Sequence, residues 1–242
     1  MPTRMTSLVV DSADPAALAR FYADLLRWSI THESADEVCV APQDDDGFPG
    51  DLTFVPVDDP KVGVNRYHLD LSSVSAADQA AIVDRALSLG ATHTDVGQGD
   101  APWVVLADPE GNEFCVLEPR PENADTGAVA CIVTLATDPS AQADFWAAAT
   151  GNPIVRDTPA SAVVRGDRGP WLEFLAHPEP KRTKNRLHID VAAYEGEDQR
   201  AEVDRLLALG ATHLDLGQGE RSWVVLADPE GNEFCILSSR PD

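Results

Sequence analysis

The stretch WVVLADPEGNEFC runs from Trp103 to Cys115 and returns, letter for letter, from Trp223 to Cys235. In a chain of 242 residues such a repeat marks a duplication. Two units of about 120 residues each are expected, each large enough to bury a core. Within the segment, Asp-Pro-Glu-Gly puts each residue where a tight turn needs it. Asp accepts from the backbone, Pro fixes φ and Gly takes the left-handed position. WVVLA and NEFCVL then read as two arms of a β-hairpin, which explains the five letters DPEGN without any chemistry.

Other landmarks repeat with it. His68, His93, Asp108 and Cys115 match His188, His213, Asp228 and Cys235 at a spacing of 120. Asp14-Pro15 and Phe21-Tyr22 match Asp138-Pro139 and Phe145-Trp146 at 124. The slip of four falls before the strands LTF and LEF, in the extra loop APQDDDGFPG (Ala41–Gly50). The Pro-, Asp- and Glu-rich stretch EPRPENADTG reads as a linker. The domains are therefore set at 1–119 and 128–242, joined by 120–127.

A finer rhythm runs inside each half. TSLVVDS is strand-like, Asp14 can cap the next helix with Pro15 in its first turn, and Leu18, Tyr22, Leu25 and Leu26 recur at helical spacing. Short strands follow around RWSITH, EVCVA and DLTFVPV. The pattern then restarts with NRYHLDLS, a helix from a Ser75 cap to a Gly90 stop, and the strands THTDV, WVVLA and NEFCVL. Each half is two strand–helix–strand–strand–strand modules.

The net charge of −23 argues against nucleic acid or an anionic membrane as partner. No apolar run is long enough to span a bilayer, and the N-terminus lacks a secretory apolar region, so a cytoplasmic protein is expected. Cys39, Cys115, Cys131 and Cys235 form no CxxC pair and are expected as free thiols.

Side chains alternate along a strand. Arg66, His68 and Asp70 share one face, opposite Tyr67, Leu69 and Leu71. Arg186, His188 and Asp190 oppose Leu187, Ile189 and Val191. The polar face is expected to line a concavity or meet solvent. A lone strand histidine or a row of surface charges is ordinarily structural, and duplication alone would preserve it.

These residues carry a resemblance. NRLHID, a helix, LGATH and WVVLADPEGNEFC, preceded by ADP…FY or TDP…FW, resemble the vicinal oxygen chelate superfamily. More narrowly they resemble glyoxalase-like, bleomycin-resistance-type domains. The resemblance covers nearly the whole chain. It implies an α+β fold of two tandem domains, each of two βαβββ modules, with a curved mixed sheet around a concave cavity. The superfamily includes isomerases, lyases, dioxygenases and non-catalytic drug-binding proteins. It also implies either a monomer whose domains mimic a dimer or a homodimer.

Superfamily enzymes place four metal ligands on the concave sheet, typically His or Gln, Glu, His and Glu. The matching positions are Ser7, Thr53, His68 and Cys115 in the first half, where no metal is expected. In the second half they are Cys131, Glu173, His188 and Cys235, all of ligand-capable types, which could hold one divalent ion such as Zn, Ni, Mn or Fe. Two readings stand. One is a protein that binds or transforms a small organic molecule in the concave pocket without a standard His/Glu metal centre. Arg66, His68, Asp70, Trp103, Trp171, Arg186, Asp190 and Trp223 would then contact the ligand. The other is a metal-dependent isomerase, lyase or dioxygenase with its site in the second domain. His188 and Glu173 are the candidate catalytic groups with a metal; without one, His188 would work with Glu173 or Asp190 as an acid–base pair.

Overall fold

The computed structural model describes residues 3–44, 46–217 and 219–239. Four modules follow one another. The first is β1 (Arg4–Ser12), α1 (Pro15–Leu26), β2 (Ser29–Glu33), β3 (Val38–Ala41) and β4 (Asp51–Pro56). The second is β5 (Tyr67–Leu71), α2 (Ala76–Ser88), β6 (Thr92–His93), β7 (Val104–Ala107) and β8 (Glu113–Val116). The third is β9 (Val129–Ala136), α3 (Pro139–Thr150), β10 (Ile154–Asp157), β11 (Ser161–Val164) and β12 (Trp171–Ala176). The fourth is β13 (Leu187–Ala192), α4 (Gln199–Ala208), β14 (Thr212–His213), β15 (Val224–Ala227) and β16 (Glu233–Leu237).

Local chemistry sets the element ends. The Asp14 carboxylate accepts from Ala17 N, and Asp138 accepts from Ala141 N, each with Pro in the following first turn. Ser75 accepts from Asp78 N at 3.1 Å while Asp78 accepts from Val74 N at 3.0 Å. This is a reciprocal N-terminal cap. In the hairpin, Gly111 N donates to Asp108 O and Gly111 sits at φ 84°, a conformation a side chain resists. The slip of four lies between β3 and β4. Val40 pairs with Leu52 in one half and Val164 with Leu172 in the other, separations of twelve and eight.

The fold is α+β, with two mixed eight-stranded sheets that each combine two modules. The partner of each module is in the other half of the chain. The outer sheet, β14-β15-β16-β13-β1-β4-β3-β2, joins the first and fourth modules. The inner sheet, β10-β11-β12-β9-β5-β8-β7-β6, joins the second and third. The central seams are antiparallel, β1 on β13 and β5 on β9.

One main core runs through both halves, with two small satellite clusters beside it. Tyr67, Leu69 and Leu71 are buried, whereas His68 and Asp70 between them are partly open. The apolar faces turn to the helices. Tyr22 of α1 stacks on Phe54 of the outer sheet, and Phe21 meets Phe114 of the inner sheet edge-on. Phe145 and Trp146 of α3 close on Phe234 in the same way. No helix among the described residues is long and apolar enough to cross a membrane.

Candidate functional site

Strand register builds the site. Across the inner sheet, Trp171, Cys131, Asp70 and Cys115 stand opposite one another on β12, β9, β5 and β8. The neighbouring row is Glu173, Val133 and His68. Alternation puts both rows on the face away from the helices. A cavity of about 330 Å³ opens on that face, lined by Asp70, Cys131, Trp171 and Glu173 together with Leu117, Ser161, Arg120, Glu122, Asn123 and Arg156.

Its charges are partly paired. Arg156 donates to Glu173 in a short ion pair. Cys131 Sγ lies 3.8 Å from the other carboxylate oxygen of Glu173. Arg120 Nε donates to Glu118 at 2.8 Å, and its guanidinium lies 5.8 Å from the Trp103 ring centre. Arg165 lies over the Trp171 ring at 4.6 Å. Two buried polar atoms of the lining, Trp171 Nε1 and Asp70 Oδ1, have no hydrogen-bond partner among the described residues. His68 Nε2 is 3.4 Å from Asp70 Oδ1, beyond a good hydrogen bond. Burial, then the adjacent Asp70 carboxylate, pushes the Cys115 thiol up. Burial followed by Glu173 and Asp70 does the same to Cys131.

The expected metal set does not come together. Because modules pair across the halves, Cys131 and Glu173 lie in the inner sheet, whereas His188 and Cys235 lie in the outer one. His188 is accordingly no partner for Glu173. It sits 3.5 Å from Asp190, and burial with the nearby Lys184 pushes its pKa down to about 3, so the imidazole is neutral. Two groups of ligand-capable atoms do converge. His68, Asp70 and Cys115 in the inner sheet, and His188, Asp190 and Cys235 in the outer sheet, each have their atoms within 4.8 Å of one another. Imidazole, carboxylate and thiol suit Zn²⁺, and the orphaned Asp70 Oδ1 fits an ion at the first group. The outer-sheet row is Asp51, Ser7, Asp190 and Cys235, so an aspartate stands where the inner sheet has Trp171.

The remaining expected residues divide. Trp171 lines the cavity. Trp103 packs beside Val105, Cys115 and Leu117, and Trp223 is 37% exposed with Arg221 over its ring. Arg66 and Arg186 leave the concave face altogether. Arg186 pairs with Glu110 at 3.0 Å and donates to Asp11 O and Asp59 O, while Arg66 pairs with Glu230 at 2.9 Å and donates to Glu179 O. Both line a second depression of about 260 Å³ between the halves. Sequence reasoning missed Arg120 and Arg156. Arg120 sits in a linker without periodicity, and Arg156 reaches the site only through a bulged edge pairing.

The family model for the glyoxalase-like domain matches residues 7–117 and again 131–237. The chain superposes on glyoxalase I from Zea mays with a TM-score of 0.73 at 15% identity, covering 98% of this chain and 92% of that one. It superposes on a Bacillus subtilis protein provisionally described as a dioxygenase with a TM-score of 0.67 at 17% identity, covering 99% and 86%. At such identities the likeness is one of fold. No curated protein matches the chain.

Proposed function

The chain belongs to the family of glyoxalase-like domains, and from that premise we propose that it binds a small organic molecule in the inner-sheet cavity. One observation carries the reading. The cavity gathers charged groups, an indole and two buried polar atoms without partners on one concave surface. A concave pocket with convergent polar groups on its wall is one form of a ligand site. Its volume, about 330 Å³, suits a ligand of modest size. The test is a thermal-shift screen of small organic compounds. A true ligand raises the melting temperature of the native chain and of Trp223→Ala, and loses its effect in Trp171→Ala. Hits indifferent to Trp171 would overturn the assignment.

A second reading rests on the His68, Asp70 and Cys115 group. These residues would hold a divalent ion beside the cavity, which Asp70 also lines. Such an ion, when bound, polarises a ligand oxygen and would make the protein an isomerase, lyase or dioxygenase of the superfamily type. The chain's own part is to orient the ligand with Trp171 and to offer the Glu173 carboxylate, held by Arg156, as a proton acceptor. Metal retained after desalting, and lost in His68→Ala but kept in His188→Ala, would support this reading. Metal indifferent to His68 would end it.

A further inference from the structure

The cavity's unmet hydrogen bonds describe the ligand that would meet them. Its two guanidinium groups are already engaged, Arg156 by Glu173 and Arg120 by Glu118. Asp70 is bridged by neither arginine, although Arg120 is near enough to feel its charge. It faces the His68 imidazole at 3.4 Å and the Cys115 thiol, and among the described residues its Oδ1 accepts no hydrogen bond. On the same row stands Trp171, whose buried indole N–H has no acceptor. An unmet acceptor and an unmet donor, two strands apart, call for a ligand that carries one of each.

Taking the cavity to be the binding site, we propose that it selects a small organic cation: a protonated amine that donates to Asp70 Oδ1 and carries a neutral oxygen that accepts from Trp171 Nε1. A charged donor is the strongest satisfaction for a partly buried carboxylate. An anion is disfavoured twice. It would have to displace Glu173 or Glu118 from an arginine, and it would bring a second negative charge beside Asp70 in a chain of net charge −23. Leu117 and the Trp171 ring supply the apolar wall for the amine's carbon body. The outer sheet lacks this pairing, because Asp51 takes the position of Trp171 and accepts from Thr53 at 2.6 Å.

The probes form a matched set: phenylalaninol, 2-phenylethylamine, 2-phenylethanol and 3-phenylpropionate. They are titrated at pH 8 with a metal chelator while the tryptophan indole N–H resonances are followed by NMR. The two amines should bind about tenfold or more tightly than the alcohol, from the charged hydrogen bond alone. Phenylalaninol should be the tighter amine, and 3-phenylpropionate the weakest probe. Asp70→Asn should abolish the preference for amines, while Asp190→Asn, its outer-sheet counterpart, keeps it and controls for folding. Trp171→Phe should remove the advantage of the hydroxyl. Alcohol or carboxylate binding as tightly as the amines, or a preference unchanged in Asp70→Asn, overturns the cation assignment while leaving the cavity a binding site. If no probe of any charge moves the Trp171 resonance, the binding-site reading fails with it.

Discussion

Glu110 and Arg186 form an ion pair at 3.0 Å that ties the turn of one half to a strand entry of the other. Both side chains are at least 85% buried. The same carboxylate accepts from Ser12 Oγ, Ala13 N and Asp14 N, at the start of α1. Glu230 repeats the arrangement with Arg66, Thr137 and Asp138. The glutamate in DPEGN is thus a clasp joining three modules, and the repeated segment is structural in both copies.

Glu110→Ala is expected to cost about 3–5 kcal/mol, because it leaves a buried guanidinium and three donors unmet. Glu110→Gln keeps an acceptor for the backbone and should cost about half as much. Urea unfolding of the two variants checks the order. Equal, near-zero costs would contradict the clasp.

Each sheet draws one module from each half, so neither half holds a complete sheet. Residues 1–119 made alone should therefore pair with a second copy or fail to fold. Made together with 128–242, they should form a one-to-one complex, as light scattering after gel filtration would show. A folded, monomeric 1–119 fragment would contradict the cross-pairing.

Much of this architecture was legible in the sequence. The Asp14 and Ser75 caps, the hairpin turn at Gly111, the loop holding the four-residue slip and the polar face of His68 and Asp70 all follow from local chemistry. Local chemistry does not choose partners. The strand Leu187–Ala192 presents the same alternation to β1 as Tyr67–Leu71 would, so both pairings satisfy it. Closure of the whole chain decides. That choice moved Cys131 and Glu173 beside Asp70 and left His188 with Asp190 in the other sheet. The arginines divided for a related reason. Arg66 and Arg186 stand at strand entries, where loop carbonyls and the clasp glutamates claim them.

His188 gives a pH dependence. Its folded pKa, about 3, lies below the ordinary imidazole value of 6.5, so the unfolded chain takes up the proton first. The neutral imidazole costs nothing above pH 7, and stability falls as the pH drops from 6.5 toward 3. Between pH 8 and pH 5 the loss should be about 2 kcal/mol. Denaturant unfolding of chelator-treated protein at both values measures it. His188→Gln should flatten that part of the profile, and an unchanged slope would show that His188 is charged or exposed in the folded chain.

The most direct test of the central claim uses the indole N–H resonances of the five tryptophans. Trp171 is assigned from the peak missing in Trp171→Phe. Phenylalaninol is then titrated into the native chain. The account predicts a saturable shift of the Trp171 resonance while those of Trp223 and the buried Trp146 stay in place. Saturable binding that moves Trp223 and leaves Trp171 still would put the site on the other sheet and contradict the account.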